Sequence, residues 1–252
     1  MVAHKFSKIM LMGFLVLLAA CQGQPSPTPA VKDDSLITKI PCAPPCWQGL
    51  TPGESTFEEV SDFIQLSPLI NGNASEPKYV STGGSYQAWR WAGESPDSSL
   101  ANFFDYTSEG VLERIVLRPN IDIMVKDSIQ AHGLPTLVTI NEGLIAESPF
   151  RTSSGIEVRA VYIDPPMLLT WAEKMDPASL PEPRIICVSL GVPIDTIEYD
   201  TLERAEAIVD LWRQNALLHP NGVFEGATVF QMHDNEIQVN CVALHSSTPG
   251  TP

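Results

Sequence analysis

Alternation of apolar and polar residues is clearest in three consecutive stretches. Tyr86 to Trp91 puts Trp89 and Trp91 on one side, Leu100 to Thr107 alternates again, and Ser108-Glu-Gly110 turns the chain into Val111 to Leu117. A period of two marks half-buried strands, and turn residues between such runs make them an antiparallel meander. Upstream the period changes to that of a helix. Ser55-Thr-Phe-Glu58 and Thr56-Phe-Glu-Glu59 both match Ser/Thr-x-x-Glu, in which a hydroxyl and a carboxylate cap the first helical turn. A helix is predicted from Thr56 to Leu66 with Phe57, Val60, Phe63 and Ile64 on one face. That stripe needs a sheet to cover it.

The same order occurs again downstream. A second helix is predicted over Val125 to His132, closed by Gly133 and Pro135, followed by strands at Leu137 to Ile140, Ile156 to Ile163 and Met167 to Trp171. The units Gly53 to Leu117 and Ile121 to Glu173 thus form a weak architectural repeat in which few residues match. Asp176 to Arg184 is Pro-rich and reads as a loop, Ile185 to Leu190 as a buried strand carrying Cys187, and Ile194 to Tyr199 as another strand. A longer helix is predicted from Thr201 to Leu218, with Leu202, Ala205, Ile208, Val209, Trp212 and Ala216 on its stripe, ended by Pro220-Asn-Gly222. Val223 to Met232 and Ile237 to Leu244 close the fold, and residues 245–252 read as a tail. The expected class is α+β, antiparallel sheets with about three helices packed on them.

Composition narrows the function. Hydrophobic residues make up 44% of the 252-residue chain, enough for a core, and 22 prolines favour loops and short strands over a helical bundle. The formal charge of -15 repels phosphate backbones and anionic lipid heads, which argues against a nucleic-acid partner.

The amino-terminal stretch carries the address. His4, Lys5 and Lys8 lead into an apolar run from Ile9 to Leu18, shorter than the roughly 20 residues that span a bilayer core, so residues 1–20 read as an export signal. Leu18-Ala-Ala-Cys21 resembles the lipobox of bacterial lipoproteins. The resemblance implies cleavage before Cys21, a thioether-linked diacylglycerol on its sulfur, acylation of the new amino terminus by a chain such as palmitate, and a cell-envelope location on the extracytoplasmic face. The alternative is an ordinary secretory signal cut near Ala20, with Cys21 a simple thiol. Gln22 to Lys39, with Pro25, Pro27 and Pro29, reads as a solvated tether from the lipidated residue to a body starting near residue 41.

With Cys21 lipidated, Cys42, Cys46, Cys187 and Cys241 remain, and four cysteines in an exported chain suggest two disulfides with three possible connectivities. Pro44 and Pro45 favour extended backbone, which at about 3.1 Å per residue would hold Cys42 and Cys46 about 10 to 12 Å apart. A disulfide needs less than about 7 Å. Cys42 and Cys46 are therefore expected to pair with Cys187 and Cys241, each bond closing a loop of well over a hundred residues and contributing about 4 to 5 kcal/mol. A metal or redox site on Cys42-x-x-x-Cys46 is the alternative, since certain membrane-anchored copper chaperones carry such a pair within a thioredoxin-like fold. The strand and helix order of that fold is not visible here, and His132, His219, His233 and His245 are scattered singly.

Pro45-Cys-Trp-Gln-Gly-Leu-Thr-Pro-Gly53 ahead of a capped helix resembles a segment near the start of many exported bacterial lipoproteins, a likeness that implies no activity. More loosely, the Gly53-Glu-Ser55 start, the Trp-containing strands and the Gly133-Leu-Pro135 turn are similar to the small envelope-assembly lipoproteins of the BamE/SmpA type. This chain departs from them in length, in its extra cysteines and in its third helix.

Signatures of chemistry are few. No Gly-x-Ser-x-Gly elbow, phosphate loop, dinucleotide fingerprint or His-Glu-x-x-His occurs. Glu58 and Glu59 point about 100° apart on a helix and read as cap and solvated face. Glu113, Arg114 and Arg159 read as surface charge, and Trp89 with Trp91 as core, the alternative being a sugar-binding groove. No cofactor is implied. The sequence favours a membrane-anchored, extracytoplasmic, non-catalytic protein that binds an envelope protein or a small ligand or serves as an envelope scaffold; the alternatives are a metal carrier or redox protein using Cys42 and Cys46, or an extracytoplasmic enzyme with no recognisable motif.

Overall fold

Thr56 caps its helix as the pattern requires. In a computed structural model describing residues 31–70, 74–79, 84–94, 101–148, 151–174, 184–218, 223–233 and 236–244, Thr56 Oγ1 accepts from Glu59 N at 3.3 Å while Glu59 Oε2 accepts from Thr56 N at 2.8 Å. The capping box is thus Thr56 with Glu59. Ser55 Oγ instead accepts from Thr51 N at 3.0 Å. The helix runs Phe57–Leu66 and buries Val60 and Ile64.

The principal helices are α1 (Ser35–Thr38), α2 (Phe57–Leu66), α3 (Val125–His132), α4 (Leu202–Leu218) and α5 (Gly226–Val229). The strands are β1 (Lys78–Tyr79), β2 (Ser85–Trp89), β3 (Asn102–Tyr106), β4 (Leu112–Leu117), β5 (Leu137–Ser148), β6 (Arg151–Ile163) and β7 (Pro166–Lys174), followed by β8 (Arg184–Ile186), β9 (Thr196–Asp200), β10 (Val223–Glu225), β11 (Phe230–His233), β12 (Glu236–Val239) and β13 (Val242–Leu244). The architecture is α+β. Nine strands form one antiparallel sheet in the order β1-β2-β3-β4-β9-β7-β6-β5-β10, and β11-β12 and β13-β8 form two small antiparallel pairs.

The two helix-plus-meander units lie side by side in this single sheet. β9 joins them, with Ile115 opposite Tyr199 on the β4 side and Met167 opposite Tyr199 on the β7 side. Direct cross-strand partners share a face. Following the register from Trp89 and Phe104 through Ile115, Tyr199, Met167 and Tyr162 to Val138 therefore traces one face, and those residues are all buried. α2 and α3 join that face in one continuous core. On the opposite face Leu137, Val161 and Leu168 meet Val209 of α4 in a separate, smaller cluster. One sheet thus carries helices on both sides, and among the described residues α4 packs mainly on the β6, β7 and β10 part of its own side.

Several expectations are corrected. The part of Gln22 to Lys39 that is described does not run free as a tether: Leu36 of α1 is buried, Asp33 accepts from Trp47 Nε1 at 2.6 Å and from Ser35 N at 3.1 Å, and Lys39 Nζ donates to the Ala131 carbonyl at 2.7 Å. Residues 22–30 lie outside the described residues, as do 1–20, Pro220 to Gly222 and the tail. The buried strand at Ile185 to Leu190 shrinks to Arg184–Ile186, Ile185 is 58% exposed and Cys187 lies on the surface beyond the strand. Val223 to Met232 is not one strand, because α5 interrupts it. At Gly226 the backbone lies so close to Pro135 that a Cβ would fall 1.8 Å from its carbonyl oxygen, and Gly226 N donates to Thr136 O at 3.1 Å. β5 and β6 extend well past the apolar alternation, since a hairpin's backbone ladder needs no apolar partner.

The disulfide expectation is also overturned. Cys42 bonds Cys46 with a Cα separation of 5.7 Å, and Cys187 bonds Cys241. The Cys42 to Cys46 stretch is not extended: the Pro44–Pro45 peptide is cis, and Cys46 N donates to Ala43 O at 3.1 Å across a tight turn.

Candidate functional site

The turn after Cys46 fixes the aromatic centre. Gln48 and Gly49 have φ of 54° and 89°, both left-handed, as the two central residues of a type I′ turn require, and Trp47 and Leu50 exchange backbone hydrogen bonds at 2.8 and 2.9 Å. Trp47 is thereby driven inward, fully buried, stacking on Trp89 at 5.4 Å and meeting Phe63 edge-on at 5.3 Å. Trp91 Nε1 donates to Arg118 O at 2.7 Å. Trp89 and Trp91 are core, so the sugar-groove alternative does not apply to them.

Among the described residues an open concavity lies on the other face, beside the first turn of α4. It encloses about 620 Å³ and is lined by residues of β2, β3 and β4 with Arg204 of α4. Across this face the register sets Tyr86, Asp105, Arg114 and Asp200 in one row. Arg114 donates Nε and Nη2 to Asp105 Oδ2 at 2.9 and 2.5 Å and Nη1 to Glu198 Oε2 at 2.8 Å. Burial acts to lower its pKa, yet the Glu198 and Asp105 carboxylates outweigh that and hold it above the ordinary value. Arg204 donates Nε to Asp200 Oδ2 at 3.1 Å and Nη1 to Glu113 Oε1 at 3.4 Å. Thr201 Oγ1 caps α4 by accepting from Arg204 N at 3.3 Å, which anchors that arginine's backbone at the groove's edge.

Glu113 and Arg114 both line the groove although neighbours on a regular strand face opposite ways. A register shift between Asp105 and Tyr106 makes the difference: Asp105 pairs with Arg114 and Tyr106 with Leu112, leaving Glu113 as the extra residue of a bulge. Beneath the groove Tyr106 donates its hydroxyl to Gln87 Oε1 at 3.1 Å, and burial, with Asp105 alongside, raises its pKa.

Asp200 is almost wholly buried, and burial pushes its pKa up to about 6 against the pull of Arg204 and Arg114. The folded chain therefore holds a proton between about pH 4 and pH 6 that the unfolded chain has released, so stability falls as pH rises through that window, by about 3 kcal/mol at most. Asp200→Asn has no such titration. Urea unfolding should show the variant gaining on the parent by that amount between pH 4 and pH 6 and by nothing further above it; a difference that stays constant with pH would refute the assignment.

The residues that the sequence singles out lie elsewhere. Cys21 is outside the described residues. Cys42 and Cys46 are half-buried and bonded together, with Gly49 N donating to Cys42 Sγ at 3.4 Å, and Cys187 and Cys241 are exposed and bonded. A metal carrier on Cys42 and Cys46 would need both thiolates free. Among the described residues no three His, Cys, Asp or Glu side chains are grouped to hold a metal ion. His132 Nε2 donates to Leu36 O at 2.7 Å and burial lowers its pKa; it joins α3 to α1. His233 ends β11, while His219 and His245 lie in or next to segments whose side chains are not described. Glu58 is exposed, as its solvated-face reading requires. Arg159 pairs at the surface with Glu157 at 2.7 Å, but Glu113 and Arg114 are not plain surface charge. Their signal in the sequence was faint: two adjacent opposite charges inside an alternating strand.

No protein-family model matches the chain, and no curated protein or solved structure matches it either.

Proposed function

We propose that the chain is a lipid-anchored extracytoplasmic protein that works by binding, with the groove beside α4 as its contact surface. The anchor rests on the lipobox at Leu18-Ala-Ala-Cys21. No helix among the described residues is long and apolar enough to cross a membrane. One diacylglycerol with a further acyl chain suffices as the anchor, at about 0.8 kcal/mol for each buried methylene. A high negative charge keeps the body off anionic lipid heads.

The observation that carries the binding role is the state of the groove's charges. Arg114 and Arg204 are each held by two carboxylates of the chain itself, which leaves a rigid, prearranged surface of donors and acceptors. A metal carrier on Cys42 and Cys46 draws no support from a bonded pair.

Two measurements test this reading. Cells expressing the chain and fed an alkyne fatty acid should yield a labelled product, and Cys21→Ser should lose the label and remain a precursor; an unlabelled parent chain removes the anchor. Hydrogen exchange of the chain in its own envelope fraction should be slower than in the purified chain for peptides spanning 84–88, 103–114 and 202–206. Equal exchange there removes the groove.

A further inference from the structure

We propose that the groove takes a neutral oligosaccharide, an inference that rests on the groove being the contact surface. The charges that line it, Asp105, Glu113, Arg114 and Arg204, are all already in ion pairs, and Glu198 and Asp200 behind them are the second partners of the two arginines. An ionic ligand finds no uncompensated counter-charge there, so it gains little net attraction for the hydration it gives up. A polyhydroxylated ligand needs none, because each hydroxyl both donates and accepts.

The unused hydrogen-bonding capacity fits that partner. A guanidinium carries five N–H donors. Among the described residues Arg114 spends three of its five and Arg204 two of its five, so both keep N–H groups for hydroxyl oxygens. The carboxylates of Asp105 and Glu113 keep lone pairs for hydroxyl protons. Ser85, Thr107 and Ser108 add hydroxyls to the lining, of which Ser108 Oγ donates to Glu109 Oε1 at 2.8 Å and keeps its acceptor side, while Thr107 Oγ1 accepts from Val111 N at 3.3 Å and keeps its proton.

Tyr86 supplies the remaining element of sugar recognition, a flat ring on the wall. It is half-buried and steadied by an edge-on contact with Phe103, with ring centroids 5.9 Å apart at 68°. A pyranose presents a patch of C–H groups that packs on such a ring while its hydroxyls reach the rim. A volume of about 620 Å³ falls in the range of about 300 to 1,000 Å³ that small-ligand sites occupy, and its openness to solvent suits a segment of a longer chain as well as a short one.

The test uses the full chain in lauryl dimethylamine oxide, a detergent without a sugar headgroup, on a printed array of neutral, sulfated, sialylated and amino-sugar glycans, with calorimetry on the best neutral oligosaccharide. Neutral glycans should be retained, and their affinity should change less than about twofold between roughly 50 and 500 mM NaCl, since no counterions are exchanged. Tyr86→Ala should weaken binding about tenfold. Ser108→Trp, which fills the groove from an exposed position without touching the core, should do the same, and Glu206→Ala on the solvent side of α4 should change nothing.

Three results overturn the inference: an array on which no neutral glycan is retained, retention confined to charged glycans with steep salt dependence, or binding indifferent to both groove variants. Slowed exchange at the groove in the envelope fraction together with a blank array discards the sugar and keeps the groove; unchanged exchange with a blank array discards both.

Discussion

Trp47→Ala should cost about 3 to 5 kcal/mol of stability, the range for emptying a buried tryptophan site, and lower the melting temperature by about 10 °C or more in a domain of this size. Trp47 has no exposed surface and its ring contacts Phe63, Trp89, Trp91 and Phe104. Four aromatic neighbours cannot collapse into the gap without leaving their own packing. The substitution also strips Asp33 of the indole N–H at 2.6 Å, which ties the segment before α1 to the core. Trp47→Phe separates the two effects, keeping most of the ring and losing only the hydrogen bond, at about 1.5 to 3 kcal/mol for a charged acceptor. Urea unfolding followed by circular dichroism reads both; a loss below about 1 kcal/mol in the alanine variant would mean that the cluster is not the keystone.

Replacing Cys187 and Cys241 together by serine should rank next, at about 4 kcal/mol, because their bond spans 54 residues, including β9 and α4, and the loop entropy removed from the unfolded chain grows with that span. The Cys42–Cys46 bond spans only 4 residues, and its double serine variant should lose about 2 kcal/mol. Thermal unfolding of the two pairs of variants should reproduce that order. Equal losses would show that local packing around Cys42 and Cys46, not loop length, sets the contribution of the shorter bond.

What could be seen in the sequence was what repeats locally. Thr56 with Glu59 fixes the start of α2, and Gly133 closes α3 at the predicted residue, with His132 N-terminal to it in the last turn. The alternation over residues 86–91 correctly puts Trp89 and Trp91 on the inner side, where both are buried. What could not be seen were pairings between distant segments. Nothing in Thr196 to Asp200 says that its neighbours are β4 and β7. Nor does Glu113-Arg114 announce a bulge, since that follows from how many residues Asp105 and Tyr106 face across the ladder. The Cys42 to Cys46 stretch departs from expectation for a different reason: two consecutive prolines favour extended chain on average, while this pair forms a turn closed by Cys46 N and Ala43 O. Leu36 was overlooked because one buried leucine in a polar stretch shows no period. Asp33 marks the spot only once Trp47 and Gln48 are known to reach it.

The place of β9 between β4 and β7 governs the order of events as the chain is made from its amino terminus. Both meanders are complete by Lys174, yet each must wait with one flank of bare amides and carbonyls until Thr196 to Asp200 arrives. During that interval the half-made molecule is most prone to wrong partners. The late strand is thus a latch, and any lesion that delays or removes it should be felt as clumping of nascent protein rather than as loss of one local contact.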